Sequence, residues 1–148
     1  MRYLSSIIAA VLVTCATLAA ASDGSVGRVK TVKGSATIVR GQSSLPAVFN
    51  EKVHQGDTLR TGPDGSLGVM LKDDTSLSLG PNTEVVIDQF LFAPAEGKLS
   101  VVARMLRGTA VYLSGVIAKL SPQSVRFETP NASIGVRGTK FLVRVDEG

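Results

Sequence analysis

Residues 59–79 of this chain, LRTGPDGSLGVMLKDDTSLSL, constrain its fold more than any other stretch. Leu67, Val69 and Leu71 alternate with small or polar residues, and so do Leu77 and Leu79. A period of two places every apolar side chain of a strand on one face. The segment therefore predicts a β-hairpin with one dry side, turning at Lys72-Asp73-Asp74-Thr75. Just before it, Gly62-Pro63-Asp64-Gly65 predicts another turn, because proline presets φ and glycine accepts a positive one.

The rest of the chain follows the same rhythm. Residues 26–32 and 35–40 predict a pair of strands around Lys33-Gly34, while Pro46 assigns residues 45–52 to an edge or loop. Residues 53–59 read as a connection through Gly56-Asp57, and residues 84–92 as a strand ended by Ala93-Pro94-Ala95-Glu96-Gly97. Residues 98–107 and 109–113 predict a second pair around Gly108. One or two helical turns over residues 115–120, packed on a sheet edge, come next, then a strand over residues 124–129. Two last strands within residues 133–145 meet at Arg137-Gly138-Thr139, where a glycine inside a strand pattern predicts a bulge. About ten short strands with turn residues at such intervals predict an all-β fold: a twisted two-sheet β-roll or β-solenoid-like sandwich with one short helix near residues 115–120.

Residues 1–21 have the make-up of an export leader. Arg2 gives a basic start, residues 4–18 are mostly apolar, and Ala19-Ala20-Ala21 offers a cleavage site before Ser22. Residues 22–148 are then expected to form one domain that is periplasmic or secreted, with no stable membrane span after cleavage. Retention as an anchor is disfavoured by the weakly hydrophobic alanines and threonines. Lipidation at Cys15 is disfavoured by Thr14, which stands where such signals want a smaller residue. Cys15 is the only cysteine, so the exported domain would rely on packing without disulfides, which suits a bacterial periplasm.

The formal charge of +4 comes from 16 basic residues, scattered singly, against 12 acidic ones, and the chain has no tryptophan. Nucleic-acid binding is therefore not expected. His54 is the only histidine, and without a second histidine or a cysteine in the domain it cannot complete a zinc site, so it reads as an exposed loop residue. Asp57, Asp64, Asp73 and Asp74 lack the spacing of a calcium loop and sit where aspartate favours turns. No serine lies in a nucleophile motif, and aromatics are too few to line a sugar-cleaving cleft. Gly135-Val136-Arg137-Gly138-Thr139 is followed by strand-like alternation, unlike a phosphate loop, so Arg137 reads first as a stabilising residue on the sheet surface. No catalytic residue, cofactor or metal is expected.

Several motifs in order carry a resemblance. They are Gly56-Asp57-Thr58-Leu59-Arg60-Thr61-Gly62, Asp74-Thr75-Ser76-Leu77-Ser78-Leu79-Gly80-Pro81-Asn82-Thr83, Leu106-Arg107-Gly108-Thr109, Phe127-Glu128-Thr129-Pro130 and residues 134–141, IGVRGTKF. Together they resemble the FecR domain family. The resemblance implies an all-β periplasmic domain without catalytic residues, which in the best understood members relays an outer-membrane transporter signal to a cytoplasmic sigma factor. This chain opens on an export leader where those members carry a cytoplasmic segment, so a free-standing exported domain is expected and the sigma-factor role is not carried over. Asp73-Asp74-Thr75 replaces the family's usual Asp-Gly-Ser, and because Thr75 takes a positive φ only at a cost, a different turn type is expected. The expected function is a non-catalytic protein-binding, scaffold or signalling-accessory module. Its partner would be an envelope protein, met through Asp64, Asp73, Asp74 and Arg137. Carbohydrate or peptidoglycan binding is the alternative.

Overall fold

The structure, a computed structural model, describes residues 24–135 and 140–146. The leader, Arg137 and Gly138 lie outside the described residues. Twelve strands are present among the described residues: β1 (Ser25–Lys33), β2 (Ala36–Arg40), β3 (Ser43–Pro46), β4 (Lys52–His54), β5 (Thr58–Thr61), β6 (Ser66–Leu71), β7 (Ser76–Leu79), β8 (Glu84–Ala93), β9 (Lys98–Leu113), β10 (Val125–Thr129), β11 (Ala132–Gly135) and β12 (Lys140–Val145). One helix, α1 (Val116–Leu120), follows β9. The all-β expectation holds, in the form of a curled sheet that makes a half-barrel.

The strands form two layers. One runs β4-β1-β6-β7-β9-β12, all antiparallel. The other runs β3-β2-β5-β8-β9-β10-β11, antiparallel except for the parallel pair β9/β10. Strand β9 belongs to both. Residues before Gly108 pair with β8 and β10, and residues from Gly108 onward pair with β7 and β12.

Two expected hairpins are corrected by this topology. Residues 98–113 form one strand of 16 residues, because each half finds its partners elsewhere. Gly108 supplies the corner between the halves, with φ +96, and a Cβ there would overlap Thr83. Likewise β1 and β2 do not pair with each other: β1 pairs with β4 and β6, and β2 with β3 and β5. Lys33-Gly34-Ser35 instead carries the chain from one layer to the other. Residues 53–59, expected as a connection, contain the end of β4 and the start of β5.

Alternation does the packing. Val29, Ile38, Val53, Leu59, Leu77, Val85, Ile87, Met105 and Phe127 are wholly buried between the layers. Each such side chain contributes roughly 1.5–3 kcal/mol of burial. At one end Tyr112 stacks on Phe141 at 4.9 Å, and Phe127 meets both rings edge-on. That trio joins β9, β10 and β12 across the core. No helix of the described residues is long and apolar enough to cross a membrane.

A candidate binding face and the turns that hold it

The turn between β6 and β7 is organised by Asp73, which is 1 % exposed. Its Oδ1 accepts the Thr75 N–H at 3.1 Å, and its Oδ2 accepts the Thr75 hydroxyl at 2.8 Å and the Ile117 N–H at 3.1 Å. The Asp73 carbonyl also accepts the Val116 N–H at 2.7 Å, so α1 is docked on this turn rather than laid along a sheet edge. The positive φ of the turn falls on Asp74 at +67, not on Thr75. Aspartate tolerates that conformation better than most residues, so Asp74 fills the left-handed position that a glycine would serve and Thr75 is spared it. Beside the turn, burial chiefly, with help from the Asp73 charge, pushes the Tyr112 hydroxyl up to about 12.

Asp57, also 1 % exposed, is held differently. Arg40 on β2 donates from Nε to Oδ1 at 2.9 Å and from a terminal nitrogen to Oδ2 at 2.8 Å, while also reaching the Lys52 carbonyl at 3.2 Å. The His54 N–H donates to Oδ2 at 2.7 Å. This fork ties β2, β4 and the start of β5 together. The hydrogen bonds it donates to Asp57 raise the Arg40 pKa above its ordinary value, with burial working the other way. His54 is not the exposed loop residue expected: it ends β4, is half-buried, and its Nδ1 lies 4.0 Å from Asp57 Oδ2.

Three further motifs meet at one seam. The Thr61 hydroxyl donates to the Gly80 carbonyl at 2.6 Å, the Thr83 N–H donates to Thr61 Oγ1 at 2.9 Å, and the Thr109 N–H donates to Thr83 Oγ1 at 3.0 Å. Glu84 pairs there with Arg60 at 3.0 Å and Arg107 at 3.6 Å. These motif residues are joints between strands.

Of the four residues expected to meet a partner, Asp73 is turned inward and fully engaged, and Arg137 lies outside the described residues. Asp64 and Asp74 are exposed, but they flank opposite ends of β6, whose 6 residues span about 20 Å. The structure does not bring them together. Among the described residues, no group of three or more His, Cys, Asp or Glu could hold a metal ion.

What the first layer does present is a continuous outer face. Across it the register aligns Arg28, Met70, Ser76, Leu113 and Lys140 in one row, and Thr31, Gly68, Ser78, Val111 and Leu142 in the next. Met70, Leu113 and Leu142 are exposed large apolar residues, with Leu142 66 % accessible. Exposed Lys30, Lys72 and Asp74 ring the hollow at the Arg28 end. Sequence reasoning followed the inward phase of each strand and passed over the outward phase, where Met70, Leu113 and Leu142 stand out as apolar residues on the wrong side.

The family comparison bears on these same motifs. Residues 57–148 match the model described as FecR protein. The chain belongs to the FecR family. No curated protein and no solved structure matches it. The FecR match begins at Asp57, the carboxylate held by Arg40, so β1 to β4 precede it. Those four strands nonetheless pair with strands inside the matched span, β1 with β6 and β2 with β5. FecR is a regulatory signalling family not known to be catalytic, which points to protein partners.

Proposed function

We propose that this FecR-family chain is a non-catalytic, exported module of the bacterial envelope that binds another envelope protein through the outer face of its first layer. The supporting observation is a set of exposed apolar side chains on that face, Met70 and Leu113 in one row between Arg28 and Lys140 and Leu142 in the next. A face of this kind, apolar in the middle and charged at its rim, fits a protein partner. The alternative, a polysaccharide surface, has the hydroxyls of Thr31, Ser76 and Ser78 in its favour. Among the described residues it lacks a stacking platform, because Phe127, Tyr112 and Phe90 are buried, Phe92 and Phe141 pack against the core, and the exposed Phe49 lies in the segment between β3 and β4.

The test is cross-linking and recovery from envelope extract of the tagged chain and of its Leu113→Glu variant, with circular dichroism to verify folding. Loss of one specific partner with Leu113→Glu supports the reading. Identical recoveries, or hydrolysis of a cell-wall or sugar substrate by the pure protein, overturn it. Export is tested separately by cell fractionation with mass spectrometry of the mature N-terminus, expected at Ser22. Sedimentation with insoluble peptidoglycan is expected to leave the protein in the supernatant.

A further inference from the structure

The half-barrel leaves four edge strands among the described residues: β3, β4, β11 and β12. Three are blunted in familiar ways. Strand β4 has 3 residues, β11 has 4, and β3 has 4 and ends in Pro46. Strand β12 has 6 residues, KFLVRV, and pairs on one side only, with β9. Its outward side chains are Lys140, Leu142 and Arg144, all exposed; inward, Val143 is buried and Phe141 and Val145 are partly buried against the core.

An edge of this length is a template for another strand. If that strand is β12 of a second copy, related by a two-fold axis perpendicular to the sheet, residues on one face must oppose residues on the same face. The side chains then discriminate between registers. With Leu142 on the axis, Lys140 would lie opposite Arg144 twice, which is repulsive. With Val143 on the axis, Lys140 lies opposite Asp146, Leu142 opposite the aliphatic stem of Arg144, and Phe141 opposite Val145. The charged pairs and Leu142 meet on the outer face, and only apolar residues meet inside. Asp146 already accepts from Arg144 Nε at 2.8 Å through Oδ1. Its second oxygen remains for Lys140 of the other copy.

We propose that two copies of this chain pair antiparallel along β12 with Val143 on the two-fold axis. The sheet of each copy continues into the other, and the outer face that carries Met70, Leu113 and Leu142 becomes twice as wide. This proposal stands on the edge geometry and does not depend on the identity of any envelope partner.

The test uses the whole chain as purified from cells. Analytical ultracentrifugation is expected to show a monomer–dimer equilibrium. Opposed residues in an antiparallel pair lie about 4.5–5.5 Å apart at Cα, within reach of a disulfide, whereas diagonal neighbours at roughly 7–8 Å are not. A Leu142→Cys chain mixed with an Arg144→Cys chain is therefore expected to give a cross-linked heterodimer on mild oxidation. Leu142→Cys alone should give little, with the unsubstituted chain as the control for Cys15. Lys140→Glu should weaken association about tenfold, as two attractive cross-strand pairs become repulsive, and adding Asp146→Lys should restore it. A monomer at every concentration overturns the proposal. So does self-cross-linking of Leu142→Cys as readily as the mixture, or indifference to Lys140→Glu.

Discussion

Asp57 and Asp73 are equally buried, each 1 % exposed, and each pins together segments distant in sequence, yet they are held by opposite means. Asp57 is matched by a cation, with Arg40 closing a two-pronged fork on it and one backbone N–H completing the set. Asp73 receives only uncharged donors: two N–H groups and a hydroxyl. The contrast shows that a buried carboxylate can be tolerated either by neutralising its charge or by saturating its lone pairs with aligned dipoles. The second solution suits a tight turn, where no arginine stem would fit. The first suits a gap between strands, where Arg40 can lie partly in solvent with 37 % of its side chain accessible.

If that contrast is right, substitutions at the two sites should differ in size. Asp73→Ala strands three buried donors at once and should cost about 4 kcal/mol, read by urea denaturation; a loss no larger than at the Arg40 site would break the comparison. Arg40→Met should cost about 2–3 kcal/mol, less than a fully buried pair because Arg40 is partly solvated. Adding Asp57→Leu should return part of that loss, since the stranded charge is then gone. Thr75→Val removes one hydroxyl donor while keeping the side chain's shape, and should cost about 1 kcal/mol.

A further readout is a titration. Tyr112 sits beside the Asp73 turn with its pKa raised from 10.0 to about 12. Because the folded-state value is the higher one, the stabilisation is fully present below the unfolded pKa of about 10 and is lost as pH rises from there through about 12. Thermal melts across that window should show a slope that Tyr112→Phe flattens. An unchanged slope would mean that Tyr112 does not report on the turn.

Much of this scaffold was readable from residue order, and the reasons for the exceptions are physical. The β6/β7 hairpin, the break at Pro94 and the helix over residues 116–120 follow from local alternation and turn chemistry. Gly108 reads as a turn in the sequence because glycine marks both turns and corners. Only the partners of each half, β8 on one side and β7 on the other, decide between them, and those contacts are not local. At the β6/β7 turn, the spacing Asp73-x-Thr75 was a sufficient signal for an aspartate capping its own turn. Its grip on Ile117, 44 residues away, carried no such signal. The same holds for Arg40 and Asp57, 17 residues apart. As for the candidate face, the outward apolar residues Met70, Leu113 and Leu142 were visible as exceptions to the alternation, but their alignment needed the strand register.

Strand β9, shared by both layers through its corner at Gly108, has a mechanical consequence. Each layer holds a different stretch of the same ribbon, residues before Gly108 in one ladder and from Gly108 onward in the other, so neither layer can come away without pulling on the strand that anchors its neighbour. Loss of order at one end is thereby transmitted along a single covalent spar to the other, and the molecule melts as one cooperative body.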